Sequence, residues 1–290
     1  MKYSEIRDKI SEIKRVDLKI AKIEYLREKI DKILIKCGKK VPILLDGEEL
    51  YRVVNFKDKP LTRKKISYPS PEDVTEDQRA NRAGQNRFYC SISKGLAILE
   101  KAKEGDFITI SKWRVKKKFF TNDVRNNRFK NAKPSLQNKI ILQFINDEFL
   151  QEINKGEEYR YKISIAISES LAGVDHNITD ENGITSRFGG LIYPSIHTGG
   201  DNLVLFPETV DSCLELINIE YGQVEKVNNP EVIFNQLDFA NTVGGNGEIE
   251  WKGRRAEWKI EKRQSGLISY NMHRGGWSIR NYEGLTIDEV

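Results

Sequence analysis

An α+β fold is what this sequence predicts, and three observations carry the prediction. A stripe of isoleucines at helical spacing opens the chain. Short β-branched runs and further helical stretches then follow one another without the regular strand–helix alternation of a doubly wound sheet. The last stretch returns to strand-like runs between glycine-rich turns.

Each element has its own signal. Residues 1 to about 36 carry Ile6, Ile10, Ile13, Val16, Ile20, Ile23, Leu26, Ile30 and Ile33, with charged residues between them. A spacing of three or four puts them on one helical face. Asp17 is placed to cap a second helix, which would give a hairpin instead of one rod. The stripe is covered by the chain's own domain in the preferred reading, and by a partner or a second copy in the other. "ELYRVVNF" alternates and is β-branched, so it reads as a strand carrying Arg52. A loop rich in Pro, Lys and Ser runs on to Asp77, and "RFYCSI" is the next strand. Ser93 is placed as the N-cap of a helix over 94–104 that Gly105 closes. "DFITISKW" returns as strand. "SLQNKIILQFINDEFLQEI" and "EYRYKISIAISESLAG" read as helices, the second ended by Gly173. "RFGGLIYPSIHTGGDNLVLFPE" reads as strand, Pro-Ser break, Gly-Gly-Asp-Asn turn and strand. "EVIFNQLDFA" and "EIEWKGRRAEWKI" are strand-like, and three of the four tryptophans lie in that last block. The division is a helical segment 1–38, a main domain 39–222 and a small β-rich extension 223–290, with no internal repeat.

Composition bounds the function. A chain of 290 residues can bury a large core. No apolar run approaches the roughly 18 residues that span a bilayer, and the charged N-terminus is unlike a signal peptide, so a cytoplasmic protein is expected. Cys37, Cys90 and Cys213 are far apart and odd in number, which argues for a reducing compartment. His176, His197 and His273 share no ligand spacing with each other or with the cysteines, so no metal is expected. A net charge of +5 is compatible with a polyanionic small molecule, with nucleic acid, or with neither.

Several residues invite a functional reading, each beside a plainer one. On a helical wheel Ile98, Leu99 and Ala102 face one way, Leu96 marks the edge, and Glu100 falls just beyond it. A border glutamate is mostly a solvated helix former; it gains meaning only if other groups converge there. Arg79 and Arg82 lie in a loop with Asn81 and Gly84, where a guanidinium can clamp phosphate oxygens bidentately. Loop arginines are otherwise solvated. Tyr89, at a strand position, offers a face for stacking and a hydroxyl for orientation, or simply belongs to the core. Ser195 follows a proline at the end of an apolar strand; no Gly-x-Ser-x-Gly surrounds it, so a turn serine is the plainer reading. "SKWRVKKKFF" interleaves bases with aromatics as a nucleic-acid groove does; a strand with a solvated lysine face is preferred. "NTVGGNGE" has neither dinucleotide-binding nor P-loop spacing.

Taken in order, "LYRV", "QRANRAGQNRFY", "GLAILE" and "GLIYPSIHTGGDNLVLF" resemble the RES domain, a family named for its arginine, glutamate and serine. The resemblance covers roughly residues 48 to 210, with Arg79, Asn81, Gly84 and Tyr89 in the central motif. Gln78 stands where the family commonly has glycine, and the long loop 57–77 and both terminal segments are additions. The resemblance implies a fold related to ADP-ribosyltransferases and destruction of NAD, the substrate, with no separate cofactor. It implies catalytic roles for Glu100, Tyr89 and Ser195, and substrate contacts from Arg52, Arg79, Asn81, Arg82 and Tyr193. It further implies a toxin or defence role with an antitoxin or regulatory partner. A protein ADP-ribosyltransferase and a basic nucleic-acid-binding module are the rival readings. A homo-oligomer through the N-terminal helix is a further expectation; a nucleic-acid partner or a membrane is not.

Overall fold

The structure, a computed structural model, describes residues 2–34, 43–125, 135–171, 177–179, 185–196, 200–228, 231–263, 266–271, 277–281 and 286–289. Gly173, Cys37 and the three histidines lie outside the described residues. The chain begins with α1 (Tyr3–Lys14), α2 (Ile23–Leu34), β1 (Ile43–Leu44), β2 (Glu49–Asn55) and α3 (Arg63–Ile66). There follow β3 (Phe88–Ser91), α4 (Lys94–Lys101), β4 (Phe107–Val115), β5 (Phe119–Asp123), α5 (Leu136–Phe149) and α6 (Lys162–Leu171). Next come β6 (Asn177–Thr179), β7 (Thr185–Pro194), β8 (Asp201–Leu205), α7 (Pro207–Cys213) and β9 (Leu214–Asn228). The chain closes with β10 (Glu231–Ala240), β11 (Ala256–Arg263), β12 (Gly266–Asn271), β13 (Trp277–Asn281) and β14 (Thr286–Glu289). Helices and strands mix without βαβ alternation, so the fold is α+β.

Two compact units share these elements, each assembled from three pieces of chain. The first comprises Met1–Ile43, Ser70–Arg87 and Phe119–Pro194. Its isoleucine stripe is buried: Ile6, Ile10 and Ile13 on α1, and Ile23, Leu26, Ile30 and Ile33 on α2. α1 packs on α5 and α2 on α6, so the unit's own helices cover the stripe. Each such side chain withdrawn from water stabilises by about 1.5–3 kcal/mol. The rod breaks between Lys14 and Ile23. Asp17 does not cap α2; its Oδ1 accepts from the Lys19 amide at 2.9 Å, a local bond that competes with helix. Ile20 consequently leaves the stripe and stands 82% exposed. The predicted helix from 158 begins with a tight 3-10 turn, Glu158–Tyr161, before α6 takes over. β5 and β7 pair in parallel, and β6 lies antiparallel to β7.

The second unit comprises Leu44–Pro69, Phe88–Lys118 and Ser195–Val290. Its sheet has the order β8-β3-β2-β4-β9-β10-β11-β12-β13-β14, every pair antiparallel. One face of it packs under α4: Tyr51, Val53, Ile108, Ile110, Val224, Val232, Phe234 and Ile260 meet Ala97, Ile98 and Ala102. Gly222 is required where β9 crosses β10, because a Cβ there would lie 2.1 Å from the Asn235 carbonyl oxygen. Helix α4 is shorter than predicted. It stops at Lys101, Ala102 is already extended, and Gly105 instead forms the following turn at φ +87°. α5 likewise ends at Phe149, before the predicted 153. Of "EIEWKGRRAEWKI" only the part from Ala256 is strand. Before it, Trp251 turns in to donate to the Pro60 carbonyl at 2.9 Å and Gly253 takes a left-handed conformation, φ +65°.

Candidate active site

Glu100 stands where the periodicity of α4 puts it. The Ser93 hydroxyl caps the helix by accepting from the Leu96 amide at 3.2 Å, and Leu96, Ala97 and Ile98 turn into the core. Glu100 is half-buried on the border of that face. Ser195, directly after the β7 proline, is 2% exposed and held by its amide, which donates to the Gly200 carbonyl at 2.8 Å. Its hydroxyl donates to the Glu100 carboxylate across 95 positions of sequence. Ser195 thereby fixes one oxygen of the Glu100 carboxylate.

The sheet opens beside these residues. β2 runs paired along β4 but meets β3 at a single register pair, Tyr51 with Ser91. Beyond it the Arg52 side chain bridges the two strands: Nη1 donates to the Tyr89 carbonyl at 2.9 Å, and the guanidinium lies 5.2 Å from the Phe88 ring centre. Arg52 Nε is buried and has no partner. Burial lowers the Arg52 pKa to about 10, so it stays cationic at neutral pH. Lys101, next to Glu100, is solvent-exposed, yet surrounding protein and the Arg52 charge lower its pKa, and Glu100 opposes that. Cys90 offers no rival nucleophile, because burial pushes its thiol pKa well above the ordinary range.

The same unit adds Ser91 and Asn202, which sequence reading does not single out. Ser91 Oγ donates to Asn202 Oδ1 at 2.5 Å, paired across β3 and β8, while Asn202 Nδ2 is buried without a partner. Asn202 is the last residue of the Gly-Gly-Asp-Asn run, and that position is the signal that could have found it. Lys101 carries none, since a lysine in the last turn of a helix is ordinary.

The family model of the RES domain matches residues 49–224 of the 290. The chain belongs to the RES domain family. No curated protein and no solved structure matches it. The matched span of the RES domain contains every candidate residue.

Four of those candidates lie in the first unit. Arg79 donates through Nη1 to the Phe149 carbonyl and rests its guanidinium 5.6 Å from the Tyr161 ring centre. Asn81 is fully buried and closes its own loop, donating to the Arg82 and Gln85 carbonyls at 3.1 and 2.8 Å. Arg82 holds Glu169 in a two-pronged bond of 2.6 and 2.7 Å and also pairs with Glu24. Tyr193 is buried against the Phe149 ring at 5.8 Å. Gly84 takes φ +77°, as the turn requires. Tyr89 belongs to the second unit, on β3 opposite Val204, with its side chain half-buried. Among the described residues no cluster of His, Cys, Asp and Glu could hold a metal ion, and no helix is long and apolar enough to cross a membrane.

Proposed function

We propose that this RES domain cleaves the bond between nicotinamide and ribose in NAD, transferring the ADP-ribosyl group to water or phosphate. The observation that carries the reading is the hydrogen bond from Ser195 to Glu100 beside the opening between β2 and β3, where Arg52 keeps a buried, unpartnered N–H. That is a carboxylate held in position on the helix that packs over β2, the strand of Arg52. A relation to the ADP-ribosyltransferase fold is part of the proposal, supported by the opened antiparallel strands.

NAD suits such a site chemically. Nicotinamide leaves with the bonding electron pair, which neutralises the positive charge of its ring nitrogen, so no proton needs to be supplied to it. Positive charge develops on the ribose as an oxocarbenium-like centre. Glu100 stabilises that charge and accepts from a ribose hydroxyl, and it is preorganised because Ser195 already orients it. Arg52 and Lys101 answer the pyrophosphate. Tyr89 lies against the departing ring. The acceptor then adds at the same carbon: water gives ADP-ribose and a proton, and phosphate gives the phosphorylated sugar. Arg79, Asn81 and Arg82 shape the loop of the central motif. A toxin or defence role, restrained by a partner protein in the cytoplasm, follows from an activity that would otherwise deplete the cell's NAD.

Free nicotinamide, followed by chromatography after incubation with NAD, tests the reading. Release that depends on Glu100 supports it. Stoichiometric attachment of ADP-ribose to a protein, without free ADP-ribose, would move the assignment to protein modification.

A further inference from the structure

The second unit also contains a groove that none of the site residues lines. It is a cavity of about 300 Å3 between β9 (Leu214 to Ile219), the end of β10 at Ala240, Asp211 of α7, Arg63 of α3, and Lys116. One wall is an incomplete sheet edge. β9 pairs with β4 from Leu214 onward, but β10 joins it only from Ile219, opposite Ala240. Past Ala240 the chain turns away, and Lys252 and Glu250 donate to the Phe239 and Thr242 carbonyls at 2.9 and 3.1 Å. Among the described residues, Leu214–Asn218 therefore has a strand on one side only.

Strand alternation says which groups face the gap. Val115 exchanges bonds with Gly47 and Glu48, and the Lys116 amide donates to the Cys213 carbonyl, each at 2.8 Å. Arg114 thus turns its backbone to β9, opposite Glu215, and Leu216 directs its N–H and C=O into the groove. Backbone groups at such an edge are a template for another strand.

Charge says which strand. Arg63 on one side and Lys116 on the other line the groove, Lys64, Lys65 and Lys117 are their chain neighbours, all five are exposed, and no ion pair of the described residues engages them. The acidic residues at the groove are already engaged: Asp211 accepts from the Tyr68 hydroxyl at 2.7 Å, and Glu215 pairs with Arg114 at 3.4 Å. We propose that this edge takes an acidic, extended segment of a partner protein as an added strand beside β9. Main-chain bonds to Leu216 supply the pairing, and the two basic flanks select for carboxylates. A nucleic acid would use the lysines but has no use for a strand edge, so the peptide is the favoured occupant. Of the basic run in "SKWRVKKKFF", Lys116 lines the groove.

Fluorescence anisotropy of the full chain with a labelled, end-capped heptapeptide of alternating Glu and Val tests the proposal. The peptide should bind, and roughly five- to tenfold more weakly to the Lys64→Glu/Lys116→Glu double variant, whose two sites are exposed and tolerate the change. Peptides methylated on alternate backbone nitrogens, in both registers, should include one that no longer binds. Equal binding of both methylated peptides would overturn strand addition. Unchanged affinity of the double variant would overturn this location. A uridine oligonucleotide of equal charge that binds where the peptide does not would make the patch a nucleic-acid surface, and no binding by either probe would overturn the proposal outright.

Discussion

Replacing Glu148 with glutamine should stabilise the first unit, and increasingly so as the pH rises. Glu148 projects from α5 with its side chain only 4% exposed, 4.0 Å from Lys14, and accepts from the Gln151 amide. Burial, aided by the neighbouring Asp147 charge, raises its pKa to about 7, against the pull of Lys14 and Arg160. The sign follows from proton counting. Between the unfolded value of 4.5 and about 7 the folded chain holds a proton that the unfolded chain releases, so stability falls as pH rises through that window. A carboxyl moved that far corresponds to about 3 kcal/mol lost by the upper end of the window. Glutamine keeps the shape and the acceptor but has no proton to release. Urea unfolding followed by helical circular dichroism should give equal stabilities for both proteins at pH 4, with the variant ahead by about 2–3 kcal/mol at pH 8.5. A gap independent of pH, or a variant weaker at pH 8.5, would mean that Glu148 does not hold its proton in the folded chain.

Other expectations concern the second unit. Ser195→Ala removes a hydrogen bond to a carboxylate, worth about 1.5–3 kcal/mol, so nicotinamide release should slow by roughly ten- to a hundredfold; unchanged turnover would separate the serine from the chemistry. Arg52→Lys keeps the charge but loses the fork that reaches the Tyr89 carbonyl and presents the free Nε. NAD should bind roughly tenfold more weakly by calorimetry, and equal affinity would place the phosphate elsewhere. Lys94 lies 2.5 Å from Glu220 and 3.7 Å from the Trp258 ring centre, with both charged side chains 11% exposed. Glu220→Gln should cost about 3 kcal/mol in denaturant unfolding by leaving that ammonium uncompensated, whereas Glu220→Gln combined with Lys94→Met should recover most of it; equal losses would refute the pairing argument.

What could be read in the sequence was whatever rests on local periodicity. The position of Glu100 follows from the apolar face of α4 alone, and the strand at Arg52 from its β-branched alternation. The meeting of Ser195 with Glu100 had no local cause; only the order of the motifs pointed to it. β9 was hidden because its alternation changes phase where Leu216 and Ile217 adjoin, at the irregularity in its pairing with β4. Its strand character comes from β4 and β10 on its flanks. Arg82 reads as a loop arginine until Glu169, 87 positions later, is brought to it by α6. The turn at Asp17 prevailed over an unbroken stripe because one side-chain bond to the Lys19 amide outweighs a helical position at Ile20 that nothing covers.

The role of Glu100 is tested most directly by the rate of nicotinamide release from NAD by Glu100→Gln. The substitution keeps size and helix propensity and removes only the charge. A fall of about 10²–10³ with an unaltered unfolding transition is expected, the loss that follows when a preorganised electrostatic group is removed. Release at the wild-type rate would contradict that role, because Glu100 would then be no more than a glutamate on the border of its helix.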